Sequence, residues 1–422
     1  MPSLINTSFT AFVGIDWADS KHDVCLQVAG ESTRQFSRID HTPESIERWA
    51  LALHHAYGAP IAVAVELTKG PLVSALQKYD FIVLFPINPT TLAKYRKAFV
   101  PSGAKDDPSD AQWALELLMT HPEKFPALSL QSSEMRILGS LTEQRRQLVE
   151  DRVRVSNRLC STLKQYYPLA LELFKDHGTL VFADFLRRWP SLDELSRARP
   201  ASLDKFLDSH NVRRSALSQK RQELILKAKP LTEDHSIIAP SRLYTLALAD
   251  QLKVMLASIK SFDIEIETLA NSMADYKIFH TLPGAGKQLA PRLMAAFGDQ
   301  RDRFNAADEV QKYAGVAPVT ERSGKKQWVH WRWQCSVFLR QTFVEWAGQS
   351  VRRSAWAGEF YRQQRAKGST YQVAIRALAF KWIRILYRCW KTSTVYEEQI
   401  YLKALSRHGS PLSERLAELA AD

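Results

Sequence analysis

The sequence predicts an α/β N-terminal domain, then a helical, coiled-coil-like middle region, and then a mainly α-helical C-terminal domain. Between residues 10 and 125, short apolar runs typical of buried strands alternate with segments typical of helices. In the middle region Leu141, Leu148 and Val155 recur every seven residues, which indicates a long amphipathic helix. The domains are placed at residues 8–128, 129–270 and 271–405, followed by an acidic tail at 406–422.

The first domain is predicted to contain a mixed β-sheet. Two strands near its start could pair as a hairpin, and two short apolar runs farther along suit buried strands. Helices are predicted between them at residues 43–57 and 71–79. The predicted strands are residues 10–17, 22–28, 61–66 and 81–85.

The middle region and the C-terminal domain are predicted to be mostly helical. The first helix of the middle region, within residues 130–175, carries five arginines and could contact a phosphate backbone. A plain surface helix is an equally good interpretation. The arginines are Arg145, Arg146, Arg152, Arg154 and Arg158.

The composition is that of a folded, basic protein. The chain has 422 residues, with 57 Lys or Arg against 45 Asp or Glu, a net charge of +12 at pH 7. No apolar run approaches the roughly 18 residues of a membrane span. The four cysteines are too scattered for a CxxC metal site or a disulfide framework. We therefore expect a cytoplasmic protein with no membrane partner.

The positive charge is concentrated in one segment, residues 322–391. This segment holds 15 Lys or Arg residues against two acids, a net charge of +13, and seven of the eleven tryptophans. Phosphates attract such charge and bases stack on aromatic rings, so the segment favours nucleic acid as a partner. The alternative is a solvated basic face over a tryptophan-filled core, and most of these tryptophans are expected to be core residues.

Four acidic residues have contexts that suit a metal site: Asp16, Glu66, Asp107 and Asp110. Asp16 and Glu66 each end a predicted strand, and open α/β sheets bind ligands at the carboxyl ends of their strands. Asp107 and Asp110 lie three residues apart at a helix start and face the same side. Four converging carboxylates repel unless a cation joins them, and such oxygen ligands select Mg²⁺ or Mn²⁺. Two ions about 4 Å apart can activate an attacking oxygen and stabilise a leaving one on phosphate.

Each acid also has a structural explanation. Asp107 could be the N-cap of a helix that has Pro108 at its first position and Asp110 in its first turn. Glu66 could form an ion pair with a nearby lysine. The register of the third carboxylate, Asp106 or Asp107, stays open.

Residues 282–287 (LPGAGK) predict a helix-hairpin-helix motif. Gly284 and Gly286 would let the backbone approach a phosphate, and the following helix would offer free N–H groups beside Lys287. The alternative is a tight turn between two packed helices. The segment lacks the GxxxxGK[ST] spacing of a P-loop.

Ser323 lies in a predicted flexible loop, flanked by the cations Arg322, Lys325 and Lys326. A serine hydroxyl is a poor nucleophile without a base or a metal, whereas such cations could hold a phosphodiester. From these residues alone a plain turn is the better interpretation, because Ser-Gly pairs are common in turns. Three further arginines of the basic segment are candidates for contact with nucleic acid: Arg340, Arg352 and Arg353.

Short motifs follow one another in a specific order along most of the chain. In the first half they are GID at 14–16, ELT at 66–68 with Gly70, NP at 88–89 and KDDPSDA at 105–111. In the second half they are LPGAG at 282–286, GDQRDRF at 298–304, YAGVAP at 313–318, RSGKK at 322–326 and LR at 339–340. In this order they resemble the motifs of the IS110 family of insertion-sequence transposases, which pair a RuvC-like DEDD domain with a C-terminal transposase domain.

The resemblance implies an RNase H/RuvC-like fold for the first domain. It implies that Asp16, Glu66, Asp107 and Asp110 bind Mg²⁺ (or Mn²⁺), and that Ser323 attacks DNA to form a phosphoserine intermediate. The implied partners are donor and target DNA, a structured non-coding guide (bridge) RNA, and further copies of the chain in a dimer or tetramer. The protein would be prokaryotic and would associate with the nucleoid when active.

We therefore expect an RNA-guided, Mg²⁺-dependent DNA transposase or recombinase, whose transesterification steps need no ATP. Two alternatives stay open. A RuvC-like structure-specific nuclease would use the same acids with water as the nucleophile and would not need Ser323. A non-catalytic nucleic-acid-binding protein would use the basic segment alone and would not need Asp16.

Overall fold

The computed structural model describes residues 9–100, 107–212 and 215–421. It divides the chain into two compact units, Met1–Leu130 and Gln131–Asp422. A few side chains beside the gaps, including that of Asp107, lie outside the description. No helix within the described ranges is long and apolar enough to cross a membrane.

The first unit is a mixed sheet with helices. Its strands are β1 (Ala11–Asp16), β2 (Lys21–Val28), β3 (Arg34–Asp40), β4 (Ile61–Val65) and β5 (Ile82–Pro86). Its helices are α1 (Pro43–Tyr57), α2 (Pro71–Leu76), α3 (Pro89–Phe99) and α4 (Asp107–Thr120), followed by a 3-10 turn at Pro122–Lys124. The strand order is β3-β2-β1-β4-β5, and β1 pairs antiparallel with β2 and parallel with β4. The predicted hairpin and mixed sheet are confirmed, and β3 is an additional edge strand.

Helices cover both faces of this sheet. On one face Ile46 of α1 belongs to the same buried cluster as Val13 of β1. On the other face Ala111 and Leu115 of α4 pack with Cys25 of β2. Every residue of β4 is buried, as expected of a central strand covered on both sides. A five-stranded mixed sheet covered in this way fits the expected RNase H-like domain.

The second unit begins with two long helices and a group of short ones. They are α5 (Ser133–Tyr166), α6 (Leu169–Leu173), α7 (Leu180–Arg188), α8 (Leu192–Ser196), α9 (Pro200–Ser209), α10 (Ser215–Lys227) and α11 (His235–Ser272). The long helices α5 and α11 are antiparallel. Leu138 near the start of α5 shares a cluster with Ile266 of α11, and Leu159 near its end shares another with Leu252. The helical middle region is confirmed, whereas a coiled-coil supercoil stays a prediction.

The remainder of the second unit is mostly helical around a tryptophan-rich core. Its elements are α12 (Tyr276–His280), α13 (Gly286–Phe297), α14 (Ala307–Tyr313), β6 (Val319–Ser323), β7 (Lys326–His330), α15 (Val337–Ser350), α16 (Ala355–Ala366), α17 (Tyr371–Lys391), α18 (Glu398–Arg407) and α19 (Pro411–Ala421). Four tryptophans of the basic segment are fully buried, which confirms that most of the seven are core residues. They are Trp346, Trp356, Trp382 and Trp390.

The hairpin of β6 and β7 differs from the predicted loop. Its two strands pair antiparallel from Val319 and His330 at the base to Ser323 and Lys326 at the tip. Nearly every side chain in it is exposed. The alternation of buried apolar positions that identifies a strand in a sequence is therefore missing here.

Candidate functional site

Two of the four predicted acids come at the carboxyl ends of neighbouring strands. Ile15 of β1 and Val65 of β4 are the last pair of this parallel register, and Asp16 and Glu66 directly follow them in the chain. Adjacent strands are about 4.8 Å apart, which keeps the two backbones close. Side chains alternate along a strand, and Gly14, two residues before Asp16, faces α4. Asp16 is therefore on the face of the sheet that α4 covers.

A glycine allows α4 to approach β1 very closely. A Cβ atom at Gly14 would overlap the carbonyl oxygen of Ala111 and lie only 2.6 Å from the backbone nitrogen of Leu115. Both are backbone atoms of α4, so no side-chain rotation could make room. Asp110 immediately precedes Ala111. The close approach therefore holds the first turn of α4 beside the carboxyl-terminal half of β1.

The carboxylate of Asp110 is buried and paired with an arginine. Asp110 is 5% exposed, and its Oδ1 accepts a hydrogen bond from Nη1 of Arg96 in α3. A buried carboxylate without a partner would carry a desolvation penalty of several kcal/mol, on the order of that known for buried ions. The Asn-Pro motif positions α3, because Oδ1 of Asn88 accepts a hydrogen bond from the N–H of Thr90 at 2.8 Å. This motif thus sets the start of the helix that supplies Arg96.

Sequence reasoning missed a further acid at this edge, Asp23 of β2. Asp23 pairs with Asp16 across the antiparallel β1–β2 register and is 9% exposed. Nε of Arg38 donates a hydrogen bond to Oδ1 of Asp23 at 2.7 Å. The sequence pattern that could have identified Asp23 is the alternation of side chains along its strand, because Asp23 lies two residues before Cys25. In the structure Cys25 packs against α4. Alternation along β2 places Asp23 on the same face as Asp16.

A pair of histidines supports the loop that follows Asp16. Nδ1 of His22 accepts a hydrogen bond from the N–H of Ala18 at 3.3 Å, and its Nε2 lies 2.9 Å from Nδ1 of His41. His22 is fully buried, and this burial, together with His41, lowers the pKa of His22. The neutral imidazole therefore holds the backbone beside Asp16.

The donor chemistry of this edge suits a hard divalent cation, since all the candidate ligands are carboxylates. Among the side chains that the structure describes, however, no three His, Cys, Asp or Glu residues are grouped closely enough to hold a metal. Asp107 is the first residue of α4, but its side chain lies outside the described residues, as does the whole of Asp106. The Mg²⁺ site and the register of its third ligand therefore stay predictions.

Ser323 is the last residue of β6, at the tip of the exposed hairpin. Gly324 and Lys325 form the two-residue turn, and Ser323 pairs with Lys326 across it. Gly324 has a φ of 57°, a left-handed conformation that two-residue hairpin turns favour. Ser323, Arg322, Lys325 and Lys326 are all exposed. A strand end thus replaces the predicted flexible loop, and the serine and its three cations lie together at the tip.

The predicted Pro-Gly turn joins α12 to α13 and packs against α15. Gly284 has a φ of 77°, and a Cβ atom there would lie 2.8 Å from the carbonyl carbon of Gln349 and 2.9 Å from the nitrogen of Ser350. Nε1 of Trp346 donates a hydrogen bond to the carbonyl oxygen of Pro283 at 3.0 Å. The glycine is therefore needed for packing, which supports the alternative of a tight helix–helix turn at Gly284.

The other two predicted contacts of this turn face outward. Gly286 and Lys287 are exposed. Gly286 has a φ of 54°, and a Cβ atom there would meet nothing within 4 Å among the described residues. Nζ of Lys287 lies 2.5 Å from Oε1 of Glu267 in α11. A helix-hairpin-helix function, with contacts at Gly284, Gly286 and Lys287, stays a prediction.

The remaining predicted contacts are arginines of the second unit. Arg352 and Arg353 are exposed in the turn after α15. Arg340 in α15 is half-buried, with its guanidinium carbon 4.7 Å from the ring centre of Trp331. Three of the five arginines of α5 have carboxylate partners, which favours the surface-helix interpretation for them. These pairs are Arg145 with Asp263, Arg146 with Glu150, and Arg154 with Asp151.

Both halves of the chain match models of transposase families. Residues 13–168 match the model DEDD_Tnp_IS110, described as a transposase. Residues 276–362 match a model described as the transposase of the IS116/IS110/IS902 family. The first match contains the sheet edge and α4, and the second contains the hairpin with Ser323.

Individual proteins resemble the chain over different lengths. It is 30% identical over 400 residues to a Streptomyces coelicolor protein named as the mini-circle transposase for IS117, covering 93% of this chain and 96% of that protein. It is 24% identical over 398 residues to a protein of insertion element IS900 from Mycobacterium paratuberculosis, covering 91% and 96%. It is 26% identical over 200 residues to the pilin gene-inverting protein of Moraxella bovis, covering 43% and 56%.

Proposed function

Since the chain belongs to the IS110 family of insertion-element transposases, we propose that it cuts and rejoins DNA under RNA guidance. In this proposal Asp16, Glu66, Asp107 and Asp110 hold Mg²⁺, and Ser323 is the nucleophile. A relative named as a pilin gene-inverting protein supports strand exchange as the class of reaction.

The observation that carries the proposal is the position of Asp16, Glu66 and the first turn of α4 at the carboxyl-terminal edge of neighbouring strands. Asp16 and Glu66 directly follow the last residue pair of the β1–β4 register, and Gly14 lets α4 lie directly against β1. The backbone segments that carry Asp16, Glu66 and Asp110 thus end or begin near the same edge of the sheet, which supports a metal site there. When bound there, divalent cations would polarise the phosphate that is attacked.

The hairpin tip supports the role of Ser323. Its hydroxyl is exposed, and Arg322, Lys325 and Lys326 supply positive charge for a phosphodiester. Attack of Oγ on phosphorus would form a phosphoserine and release a 3′ hydroxyl, which takes the serine proton. Attack of another 3′ hydroxyl on this phosphoserine would rejoin DNA and return a proton to Ser323. One P–O bond replaces another in each step, so no ATP is consumed.

The exposed cations also support nucleic acid partners. Donor and target DNA and a structured guide RNA all present phosphates to such charge. We further propose a dimer or tetramer in which the acids of one copy act with Ser323 of another copy. Mixing inactive Asp16→Asn with inactive Ser323→Ala would test this directly, because cutting should return only if the two sites can come from different copies.

The test of the chemistry is the fate of the cut DNA end. The full chain is incubated with Mg²⁺, labelled DNA and RNA transcribed from the sequence beside its reading frame. A protein–DNA adduct should form, and it should disappear in Ser323→Ala but not in Ser261→Ala, a control on the exposed surface of α11. Asp16→Asn should stop cutting, whereas Asp193→Asn, an exposed acid in α8, should not.

Three results would contradict parts of the proposal. An adduct that persists in Ser323→Ala removes that serine from the mechanism. A free 5′ phosphate with no protein attached would indicate the nuclease that uses water. Unchanged activity in Asp16→Asn would indicate a protein that acts by binding alone.

A further inference from the structure

Two arginines stack on one tryptophan at the base of the β6–β7 hairpin. Trp331 directly follows β7. The guanidinium carbon of Arg376, in α17, lies 3.5 Å from the ring centre of Trp331, and that of Arg340, in α15, lies 4.7 Å from it. Three segments that are distant in sequence therefore meet at this ring.

Backbone contacts hold one of these arginines in place. Nη1 of Arg340 donates a hydrogen bond to the carbonyl oxygen of Arg332 at 3.3 Å and lies 3.4 Å from Sγ of Cys335. Gly315, in the YAGVAP motif, has a φ of 66°, and a Cβ atom there would overlap Sγ of Cys335. The glycine thus makes room for Cys335 and, through it, for Arg340. This gives the motif a specific structural role.

The charge of this cluster is not balanced by acids. Within the described part of the chain, neither Arg340 nor Arg376 has a carboxylate partner, in contrast to the three paired arginines of α5. Nε of Arg376 donates to the carbonyl oxygen of Gln372 at 3.3 Å. Burial lowers the pKa of Arg376, and the neighbouring Arg340 lowers it further. Arginine side chains stay charged in proteins, so the two groups repel each other, and an anion bound beside them would be stabilised.

We propose that Trp331, Arg340 and Arg376 form a binding site for a phosphodiester of the nucleic acid strand that runs along the hairpin. This inference rests on the proposed function. A guanidinium can donate two parallel N–H groups to a phosphate, and stacking on the ring keeps its plane oriented. Trp328 and Trp333, which flank Trp331 in the sequence, are 45% and 81% exposed, and bases can stack on such rings. Nucleic acid offers both phosphates and bases, which a free anion does not.

The site lies at a defined distance from Ser323. Lys326 is opposite Ser323 at the hairpin tip, and Trp331 is five residues farther along the chain. At about 3.4 Å per residue this separation is roughly 17 Å. Phosphates of one strand of a duplex are about 3.4 Å apart along the helix axis. For a duplex whose axis is parallel to the hairpin, the bound phosphate would therefore be about five nucleotides from the one that Ser323 attacks.

The test is the salt dependence of binding by the full chain. Fluorescence anisotropy measures the Kd for a labelled DNA duplex, a labelled single-stranded DNA and a labelled RNA hairpin, between about 50 and 200 mM salt. Arg376→Gln and Arg340→Gln should each weaken binding about three- to tenfold and reduce the slope of log K against log salt by about one. Arg376→Lys should keep the slope because it keeps the charge. The control Arg197→Gln, an exposed arginine paired with Asp193, should change neither quantity.

The outcome also shows whether the bound nucleic acid is DNA or RNA, and it separates this inference from the proposed function. If the Gln variants lose affinity for the DNA probes, the site binds DNA, and if they lose affinity only for the RNA hairpin, it binds guide RNA. Both results support a phosphodiester site. Unchanged Kd and slope in both Gln variants, with melting temperatures that show they are folded, would overturn it. The Ser323 adduct could still form in that case, so the proposed function would stand. Conversely, the Gln variants could show the reduced salt slope while the wild type forms no protein–DNA adduct. That result would support the phosphodiester site and refute the proposed serine chemistry.

Discussion

Gly14→Ala should separate α4 from the sheet and move Asp110 away from Asp16. The added Cβ would overlap the carbonyl oxygen of Ala111 and lie 2.6 Å from the nitrogen of Leu115, whereas an unstrained contact needs about 3.5 Å, so α4 must retreat by at least about 1 Å. Overpacking of this kind costs about 2 kcal/mol, within the usual 1–3 kcal/mol range. That corresponds to a fall in melting temperature of roughly 5 °C or more.

The effect on activity should exceed the effect on stability. A displacement of about 1 Å in a catalytic group can lower the rate about 100-fold. Strand cutting is therefore measured well below the melting temperature of the variant, and melting is followed by circular dichroism. Gly139→Ala is the matched control, since Gly139 lies inside α5 and a Cβ atom there would meet nothing within 4 Å among the described residues. That control should keep full activity and be stabilised by about 0.5–1 kcal/mol.

A Gly14→Ala protein that melts and cuts like the wild type would refute the argument. It would mean that α4 does not press on β1 at this residue. It would also remove the main reason for placing the first turn of α4 at the carboxyl end of β1.

Three further predictions concern charge and packing. Arg96→Gln removes the ion-pair partner of the buried Asp110 carboxylate, so in EDTA the free energy of unfolding should fall by about 3 kcal/mol. If Asp110 binds a metal, Mg²⁺ should restore part of the lost melting temperature. An identical loss in EDTA and in Mg²⁺ would count against a metal there. Because the pKa of His22 is lowered in the folded state, unfolded chains take up a proton first as the pH falls through the ordinary value of about 6.5. Stability measured by urea titration should therefore decline below that pH, and the decline should be shallower in His22→Asn; parallel curves would exclude His22 as the cause. Trp382→Ala should lower the free energy of unfolding by about 3–5 kcal/mol, because the ring is fully buried and its Nε1 donates a hydrogen bond to Oγ of Ser350 at 2.7 Å. A urea midpoint close to that of the wild type would show instead that the core repacks around the gap.

The elements that could be predicted are those with a local signal. β4 is an uninterrupted apolar run because it is buried on both faces, and the long helix α5 shows a seven-residue recurrence. β3 has mostly exposed side chains and was missed for the same reason as the hairpin. In both cases exposure removes the contrast between apolar and polar positions on which the prediction depends.

The candidate site was predictable in part. Asp16 and Glu66 could be identified because Asp16 ends a recognisable strand and Glu66 directly follows another. Asp23 could have been found by alternation along β2. Arg96 could not, because its pairing with Asp110 depends on how α3 lies against α4. Arg376 is also outside the reach of sequence reasoning, since its partner Trp331 is 45 residues earlier in the chain.

The amino-acid sequence alone determined the kinds of chemistry available: carboxylates after strands, a serine among cations, a basic segment rich in tryptophan, and motifs that belong to one family of transposases. Propensity and periodicity depend on residues close together in the chain, and the order of the motifs can be read directly along it. The tertiary structure decided which groups become neighbours. Strand pairing made β1 and β4, which end at Asp16 and just before Glu66, neighbours; a missing Cβ let α4 lie on β1; and packing of α15 and α17 gathered two arginines on Trp331. Such contacts join residues far apart in sequence, and only packing of the whole domain determines them.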